Sequence, residues 1–279
     1  MPALARRAWP TMGSWASLVT ADPIDADTGR RLAAEAFESV EARLSSYRSD
    51  SEVSRFERGE VPDPSAELRH VLAACEWLET ASGGMFSSRP AGPAGPLDLA
   101  GYVKGWAIDQ AADQLIAAGI ERFALGIGGD WRILGGHPDD RPWRFAILDP
   151  ADPASPRALV EVVEGALATS GRYERGDHVL VPPGAATGAA AAPTGAAGAA
   201  SFSVVGPRLA WADAFATVGL LKGTGGIEWV AGFAGYAGAV VLADGAMYAA
   251  DEFPLAADSA PRGAGAGDFP PQPSFTPSR

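Results

Sequence analysis

The sequence predicts a protein that mixes helices with strands, and three features support this. Apolar spacing and capping residues predict helices at residues 25–44, 64–81, 102–118, 209–221 and 227–233. Short apolar runs predict strands at residues 12–20, 122–127, 131–134, 143–148, 159–163 and 201–205. The pair Asp244-Gly245, between the apolar runs 238–242 and 247–250, predicts a β-hairpin.

Composition sets the class of protein. The chain has 279 residues, of which 47% are hydrophobic, so it can bury a substantial core. Its formal net charge is −12, with no basic block, which argues against nucleic acid or an anionic membrane surface as the main partner. The single cysteine, Cys75, excludes a disulfide within the chain and a cysteine-based zinc site. Cys75 lies in an apolar run, so we expect it to be buried.

The first residues contain Arg6 and Arg7 but no apolar run behind them. We therefore expect neither a signal peptide nor a membrane span, and a cytoplasmic location by default. Residues 184–200 are almost entirely Ala, Gly, Pro and Thr, which predicts a flexible insertion. The residues from 256 to 279 are rich in Pro, Gly and Ser, which predicts a disordered tail.

The stretch from Asp98 to Asp109 places a carboxylate, two glycines and Lys104 at the start of an apolar helix. A strand follows and ends in Gly128-Gly129-Asp130. Polar groups at a helix entrance, with glycines nearby, allow a phosphorylated ligand to approach the backbone closely. The alternative is a capped helix followed by a tight turn.

A second pair of polar residues lies on the helix at 209–221. Asp213 and Thr217 are four residues apart, so they share one face of that helix. A carboxylate and a hydroxyl so placed offer two hard oxygens, which suit Mg²⁺. The alternative is structural, with the threonine bonded to its own helix and the aspartate in solvent.

His178 precedes a short apolar run, a position from which an imidazole can face a cleft as a general base. The standard catalytic signatures are absent from the sequence. Gly126-Ile-Gly-Gly-Asp-Trp131 fails the dinucleotide fingerprint, and there is no Walker loop, Gly-x-Ser-x-Gly elbow or His-Glu-x-x-His pair.

Taken in order, these motifs resemble the ApbE-like family, the FAD:protein FMN transferases. The matching segments are Met12-Gly13, Leu44-Ser-Ser-Tyr-Arg48, Ser82-Gly-Gly-Met-Phe86, Asp98 to Asp109, Gly128-Gly-Asp130, Ala166-Leu-Ala-Thr-Ser-Gly171, Tyr173-Glu174, His178 and Ala212-Asp-Ala-Phe-Ala-Thr217. The resemblance implies an α+β fold in which two related subdomains enclose a ligand cleft, within a domain covering residues 1–255.

The resemblance also implies roles for individual residues. The residues that match the family's FAD site are Met12, Tyr47, Met85, Phe86, Asp98, Lys104 and Leu180. Those that match its Mg²⁺ site are Gly101, through its carbonyl, with Asp213 and Thr217. His178 is our candidate for the catalytic base, and Asp213 is a candidate catalytic residue through the metal.

The implied reaction transfers the FMN moiety of FAD to a threonine hydroxyl of an acceptor flavoprotein and releases AMP. Two alternatives stay open, a Mg²⁺-dependent FAD hydrolase and a non-catalytic FAD-binding protein. Both rest on departures from the family pattern. Ser87-Ser-Arg89 stands where the family has an Asp after the Phe, and Val181-Pro182 lacks the family's acid.

Overall fold

The computed structural model describes residues 4–149, 156–171 and 198–259. It confirms the α+β class. Within these ranges the helices are α1 (Pro23–Leu44), α2 (Glu52–Glu57), α3 (Ala66–Ala81), α4 (Ala100–Ala117), α5 (Leu209–Lys222) and α6 (Gly225–Ala231). The strands are β1 (Ala5–Thr11), β2 (Ser14–Thr20), β3 (Phe123–Ile127), β4 (Asp130–Leu134), β5 (Trp143–Leu148), β6 (Pro156–Val162), β7 (Gly165–Gly171), β8 (Ala199–Gly206), β9 (Ala237–Leu242) and β10 (Met247–Ala249).

Eight of these strands form one antiparallel sheet, in the order β1-β2-β3-β4-β7-β8-β9-β10. Strands β5 and β6 are inserted between β4 and β7 and pair separately as an antiparallel hairpin. Neighbouring strands of the large sheet are therefore mostly neighbours in sequence. The exception is β4 with β7, which pair across the hairpin. Helices α1 to α4 lie between β2 and β3, and α5 and α6 lie between β8 and β9.

The large sheet has a core on each face. The main core packs the helices against one face, and the second core packs the β5-β6 hairpin against the other. Strand β3 shows the division, because Phe123, Leu125 and Ile127 belong to the main core whereas Ala124 belongs to the second. Alternate side chains of a strand point to opposite faces, so a central strand covered on both sides is apolar throughout.

Local sequence accounts for the helix ends. The side chain of Asp22 accepts a hydrogen bond from the Ile24 N–H and begins α1. Gly119, with φ of +81°, follows the end of α4 and lets the chain turn into β3. None of the helices in the described ranges combines the length and the apolarity that crossing a bilayer requires.

Several predicted boundaries were wrong. Helix α3 was predicted from residue 64, but its N-cap is Ser65, whose hydroxyl accepts from the Leu68 N–H, so the helix begins at Ala66. Strand β8 begins at Ala199, inside the segment predicted to be a flexible insertion. Its pairing with β9 supplies hydrogen bonds that the composition did not suggest. Residues 184–197 lie outside the described part of the chain.

The predicted start of the disordered tail was also too early. Ala256 and Ser259 are buried, the Ala256 N–H donates to the Leu159 carbonyl, and the Leu159 N–H donates to the Ser259 hydroxyl. These residues therefore extend along β6 as part of the fold. The remainder of that tail, from residue 260, lies outside the described residues.

Candidate functional site

A cluster of buried charge lies between α4, the start of β4 and α5. The Lys104 ammonium on α4 forms an ion pair with Oδ2 of Asp130 and lies 3.5 Å from Oδ1 of Asp213. Asp130 is 1% exposed and Asp213 is 5% exposed. Buried charges are stable only with partners, so these contacts hold three separate elements in one arrangement.

Hydroxyl groups border this cluster. Thr217 lies one helical turn beyond Asp213 on α5, and its Oγ1 is 3.1 Å from the Oγ of Ser170 on β7. The N–H of Thr169 donates to Oδ1 of Asp130 at 2.9 Å. The predicted pair of hard oxygens on α5 therefore faces a strand that offers a further hydroxyl, beside a buried carboxylate.

Two glycines let α4 approach its neighbours. A Cβ at Gly105 would lie 2.6 Å from the carbonyl oxygen of Leu209 and 2.8 Å from the Cα of Ala210, at the first turn of α5. A Cβ at Gly101 would lie 3.0 Å from the ring of Phe86. The Gly-x-x-x-Gly spacing on α4 thus gives one face of the helix close contact with the backbone of α5 and with an aromatic ring.

The segment that carries Met85 and Phe86 is fixed by Ser82. Its buried hydroxyl accepts from the Phe86 N–H at 2.9 Å, and the Phe86 ring is buried in the main core. Met85 is partly buried and packs against the same core. Phe86 and Gly101 are therefore neighbours.

Asp98 lies immediately before α4. Its N–H donates to the Ser88 carbonyl at 2.8 Å, and its Oδ1 accepts from the Ala100 N–H at 3.0 Å. The first bond closes the loop from 88 to 98, and the second satisfies a free donor at the helix start. The Asp98 carboxylate thus helps to organise the N-terminus of α4, six residues before Lys104.

The two remaining predicted FAD residues in the described ranges lie elsewhere. Met12 forms the turn between β1 and β2 with φ of +47°, and it packs against the main core. Tyr47 follows α1 with 89% of its surface exposed, so it is not packed into the group around Lys104. His178 and Leu180 lie outside the described residues, and their assignment stays a prediction from the sequence.

A second ionic group joins the same three elements, α4, β4 and the start of α5. Asp109, in the middle of α4, is almost fully buried, and its Oδ2 accepts from the Ala210 N–H at 2.9 Å. Its carboxylate also lies 3.4 Å from Nε of Arg132 and 3.5 Å from Nε of Arg208. Burial raises the pKa of Asp109, and the Ala210 N–H and the two arginines offset part of that rise. Asp109 therefore supplies the N-terminal cap of α5.

The residues around Asp213 fit a magnesium ion by the chemistry of their donors. The buried carboxylate of Asp213 and the hydroxyls of Thr217 and Ser170 are hard oxygen donors. Across the described ranges, no group of three or more His, Cys, Asp and Glu residues has a metal-binding arrangement. The Mg²⁺ residues implied by the resemblance do not form such a group, because Asp213 is their only carboxylate and the other ligands are the Thr217 hydroxyl and the Gly101 carbonyl.

Sequence reasoning missed three residues of the site. Asp130, Thr169 and Ser170 all stand in motifs that were singled out, but none received a role. A clear signal for Asp130 is its position directly after a Gly-Gly turn at the start of a buried strand. The two hydroxyl residues gave no such signal, since their role depends on the pairing of β7 with β4 and β8.

Comparison with known proteins agrees with this arrangement of motifs. The profile of the ApbE family matches residues 12–91 and 89–240, which is most of the chain. This chain belongs to the ApbE family. The resemblance predicted from the motifs is therefore confirmed. Lys104, Asp130 and Asp213 all lie within the matched residues.

Two curated relatives share part of this sequence. An FAD:protein FMN transferase of Vibrio cholerae is 38% identical over 95 residues, which cover 31% of this chain and 28% of that protein. An FAD:protein FMN transferase of Rhodobacter capsulatus is 46% identical over 87 residues, covering 31% of this chain and 16% of that protein. These matches span less than a third of either relative's length.

Solved ApbE structures share the fold. The flavin transferase ApbE of Vibrio cholerae superposes with a TM-score of 0.70 at 23% identity, covering 90% of this chain and 99% of that one. The ApbE protein of Thermotoga maritima gives a TM-score of 0.73 at 20% identity, covering 89% and 97%. At these identities the likeness establishes the α+β architecture.

Proposed function

We propose that this chain is a Mg²⁺-dependent FAD:protein FMN transferase. In the reaction, a threonine oxygen of an acceptor flavoprotein bonds to the FMN phosphorus, the bond from that phosphorus to the bridging oxygen breaks, and AMP leaves. The observation that carries the proposal is the buried cluster of Lys104, Asp130 and Asp213, with Thr217 on the same face of α5. The names of the curated relatives support the same activity.

The metal residues we propose are Asp213, Thr217 and the carbonyl of Gly101. When bound there, Mg²⁺ would neutralise negative charge on the pyrophosphate of FAD. The chain contributes a rigid setting for these ligands, because Gly105 allows α4 to pack directly on the first turn of α5. Buried carboxylates of fixed orientation hold a cation without reorganisation, which favours catalysis.

The FAD residues we propose are Met12, Tyr47, Met85, Phe86, Asp98, Lys104 and Leu180. Lys104 has the clearest physical role, since a partly buried ammonium beside buried carboxylates attracts phosphate oxygens more strongly than one in open water. Phe86 and Met85 offer apolar surface for a planar ring. We assign the proton of the acceptor hydroxyl to His178, which acts as the general base.

A second candidate function is Mg²⁺-dependent FAD hydrolysis, in which water replaces the threonine and FMN is released. The observation that favours it is the segment Ser87-Ser-Arg89. Arg89 is held by Glu57 at 2.9 Å and by the carbonyl of Gly95, so this departure from the family pattern is part of an ordered loop. An altered loop beside Phe86 changes the surface that an acceptor meets.

The decisive assay incubates the full chain with FAD and Mg²⁺, with and without a panel of threonine-containing peptides and flavoprotein domains. It follows AMP, free FMN and flavin fluorescence on the acceptor. AMP together with a fluorescent acceptor supports transfer, whereas AMP with an equal amount of free FMN supports hydrolysis. Bound FAD that is never consumed overturns both activities and leaves a flavin-binding protein.

A further inference from the structure

Asp130 is the buried charge of the cluster that the proposed reaction does not use. It is the first residue of β4 and follows Gly128 and Gly129, whose φ angles are +59° and +92°. Its Oδ1 accepts from the Thr169 N–H at 2.9 Å, and its Oδ2 pairs with Lys104. One oxygen is thus fixed by the backbone of β7, and the other is directed at the ammonium.

The balance of charge in the cluster depends on this residue. One ammonium faces two carboxylates, so these three side chains together carry one negative charge. Lys104 forms a direct pair with Asp130 and is 3.5 Å from Asp213, beyond the length of a strong charge-assisted hydrogen bond. If Asp130 were neutral, the attraction between the Lys104 ammonium and the Asp213 carboxylate would no longer be opposed by the Asp130 charge.

We propose that Asp130 holds the Lys104 ammonium in its own ion pair, so that the ammonium competes less with a divalent cation for the Asp213 carboxylate. The inference rests on the proposed function, because it concerns the Mg²⁺ site of that reaction. Asp130 acts through Lys104 and is a positioning residue. Asp130 thus determines how strongly the Lys104 ammonium competes with Mg²⁺ for the Asp213 carboxylate.

The test measures Mg²⁺ binding directly, by calorimetry on the full chain without FAD. It compares Asp130→Asn, Lys104→Met and the double variant with the wild type. We expect Asp130→Asn to weaken Mg²⁺ binding, and at least about tenfold more so in the chain with Lys104 than in the Lys104→Met background. Asp27→Asn removes an exposed carboxylate on α1 and should leave the Mg²⁺ affinity unchanged.

Equal effects of Asp130→Asn in the two backgrounds overturn the inference, because Asp130 would then act on the metal itself or on the fold. If Asp130→Asn does not fold, Lys104→Met alone decides. Removal of the competing ammonium should tighten Mg²⁺ binding, and weaker binding overturns the inference. A rise in melting temperature with added Mg²⁺ gives an independent measure of each affinity.

The outcome also separates the inference from the proposed function. A wild-type chain that binds Mg²⁺ and cleaves FAD, but shows no dependence of the Asp130 effect on Lys104, retains its function and loses the inference. A wild-type chain that does not bind Mg²⁺ over the millimolar range overturns both the metal dependence of the reaction and the role of Asp130.

Discussion

The carboxylate of Asp109 links the two helices of the site. It is placed by α4, yet it accepts from the Ala210 N–H at the start of α5, one turn before Asp213. A negative charge at a helix N-terminus interacts favourably with the helix dipole, by about 0.3 to 2 kcal/mol according to burial. Arg132 and Arg208 approach the same carboxylate from β4 and from the residue that precedes α5. The orientation of Asp213 thus depends on Asp109.

The stability contributed by Asp109 should depend on pH. Because burial raises its pKa in the folded chain above the ordinary value of 3.8, the folded state binds the proton more tightly than the unfolded state. Its contribution is therefore greatest at low pH and is lost as pH rises through the folded pKa. We expect the free energy of unfolding of the wild type, minus that of Asp109→Asn, to fall as pH rises from about 4.

Urea denaturation of the two chains across the acid range measures this difference. Other titrating groups are common to both chains and cancel in the subtraction. A difference that grows with pH would show that the folded chain stabilises the ionised form of Asp109, contrary to this account.

At the level of elements, sequence predicted the long periodic segments and missed the short or unusual ones. Helices α1, α4 and α5 each combine an apolar pattern with an identifiable end, and all were predicted to within two residues. Strand β1 was missed because it carries charged residues and Pro10, which an edge strand tolerates. Strand β7 consists largely of small residues and is defined by its pairing partners.

The candidate site shows the same division. Asp213 and Thr217 are four residues apart in a helical motif, so sequence could place both on one face of a helix. Sequence could likewise place Lys104 at the start of α4. The meeting of Lys104 with Asp130 joins residues from two elements through the fold of the sheet. No local pattern encodes that distance. Likewise, the packing that requires Gly105 became visible only when α5 was placed against it.

Replacement of Gly105 by alanine tests the contact between α4 and α5. Alanine favours a helix over glycine by up to about 1 kcal/mol. Here, however, its Cβ would overlap the backbone of Leu209 and Ala210, which cannot move without shifting α5. We expect a net loss of about 1–3 kcal/mol in the free energy of unfolding, measured by urea denaturation.

Gly225→Ala is the matched control. Gly225 begins α6, and a Cβ there meets no atom within 4 Å. This variant should be neutral or slightly more stable than the wild type. If Gly105→Ala is as stable as Gly225→Ala, then the two helices are not held in backbone contact.

At the scale of the whole molecule, the main core is one continuous cluster of buried side chains that spans α1, α3, α4, α5 and the sheet. Cys75 on α3 is buried within it, as its apolar neighbours predicted, and burial raises the pKa of its thiol to about 12. The thiolate, which is the reactive form, is therefore scarce in the folded chain, and reagents are excluded by packing.

Cys75 should consequently report unfolding of the entire core. We expect a disulfide reagent at pH 8 to react with it at least about a thousandfold more slowly in the folded chain than in urea. A Ser39→Cys variant adds an exposed thiol on α1 and should react without denaturant. Rapid labelling of Cys75 in the native wild type would show that α3 opens independently of the rest of the core.

We propose that the cluster on α4, β4 and α5 cleaves the pyrophosphate of FAD with the help of Mg²⁺. The most direct test is the rate of AMP release from FAD in the wild type and in Asp213→Ala, with Asp27→Ala as a surface control. We predict that AMP release requires Mg²⁺ and falls at least about a hundredfold in Asp213→Ala, while the control is unchanged. AMP release at the wild-type rate from Asp213→Ala, or in the presence of a chelator, would contradict the account.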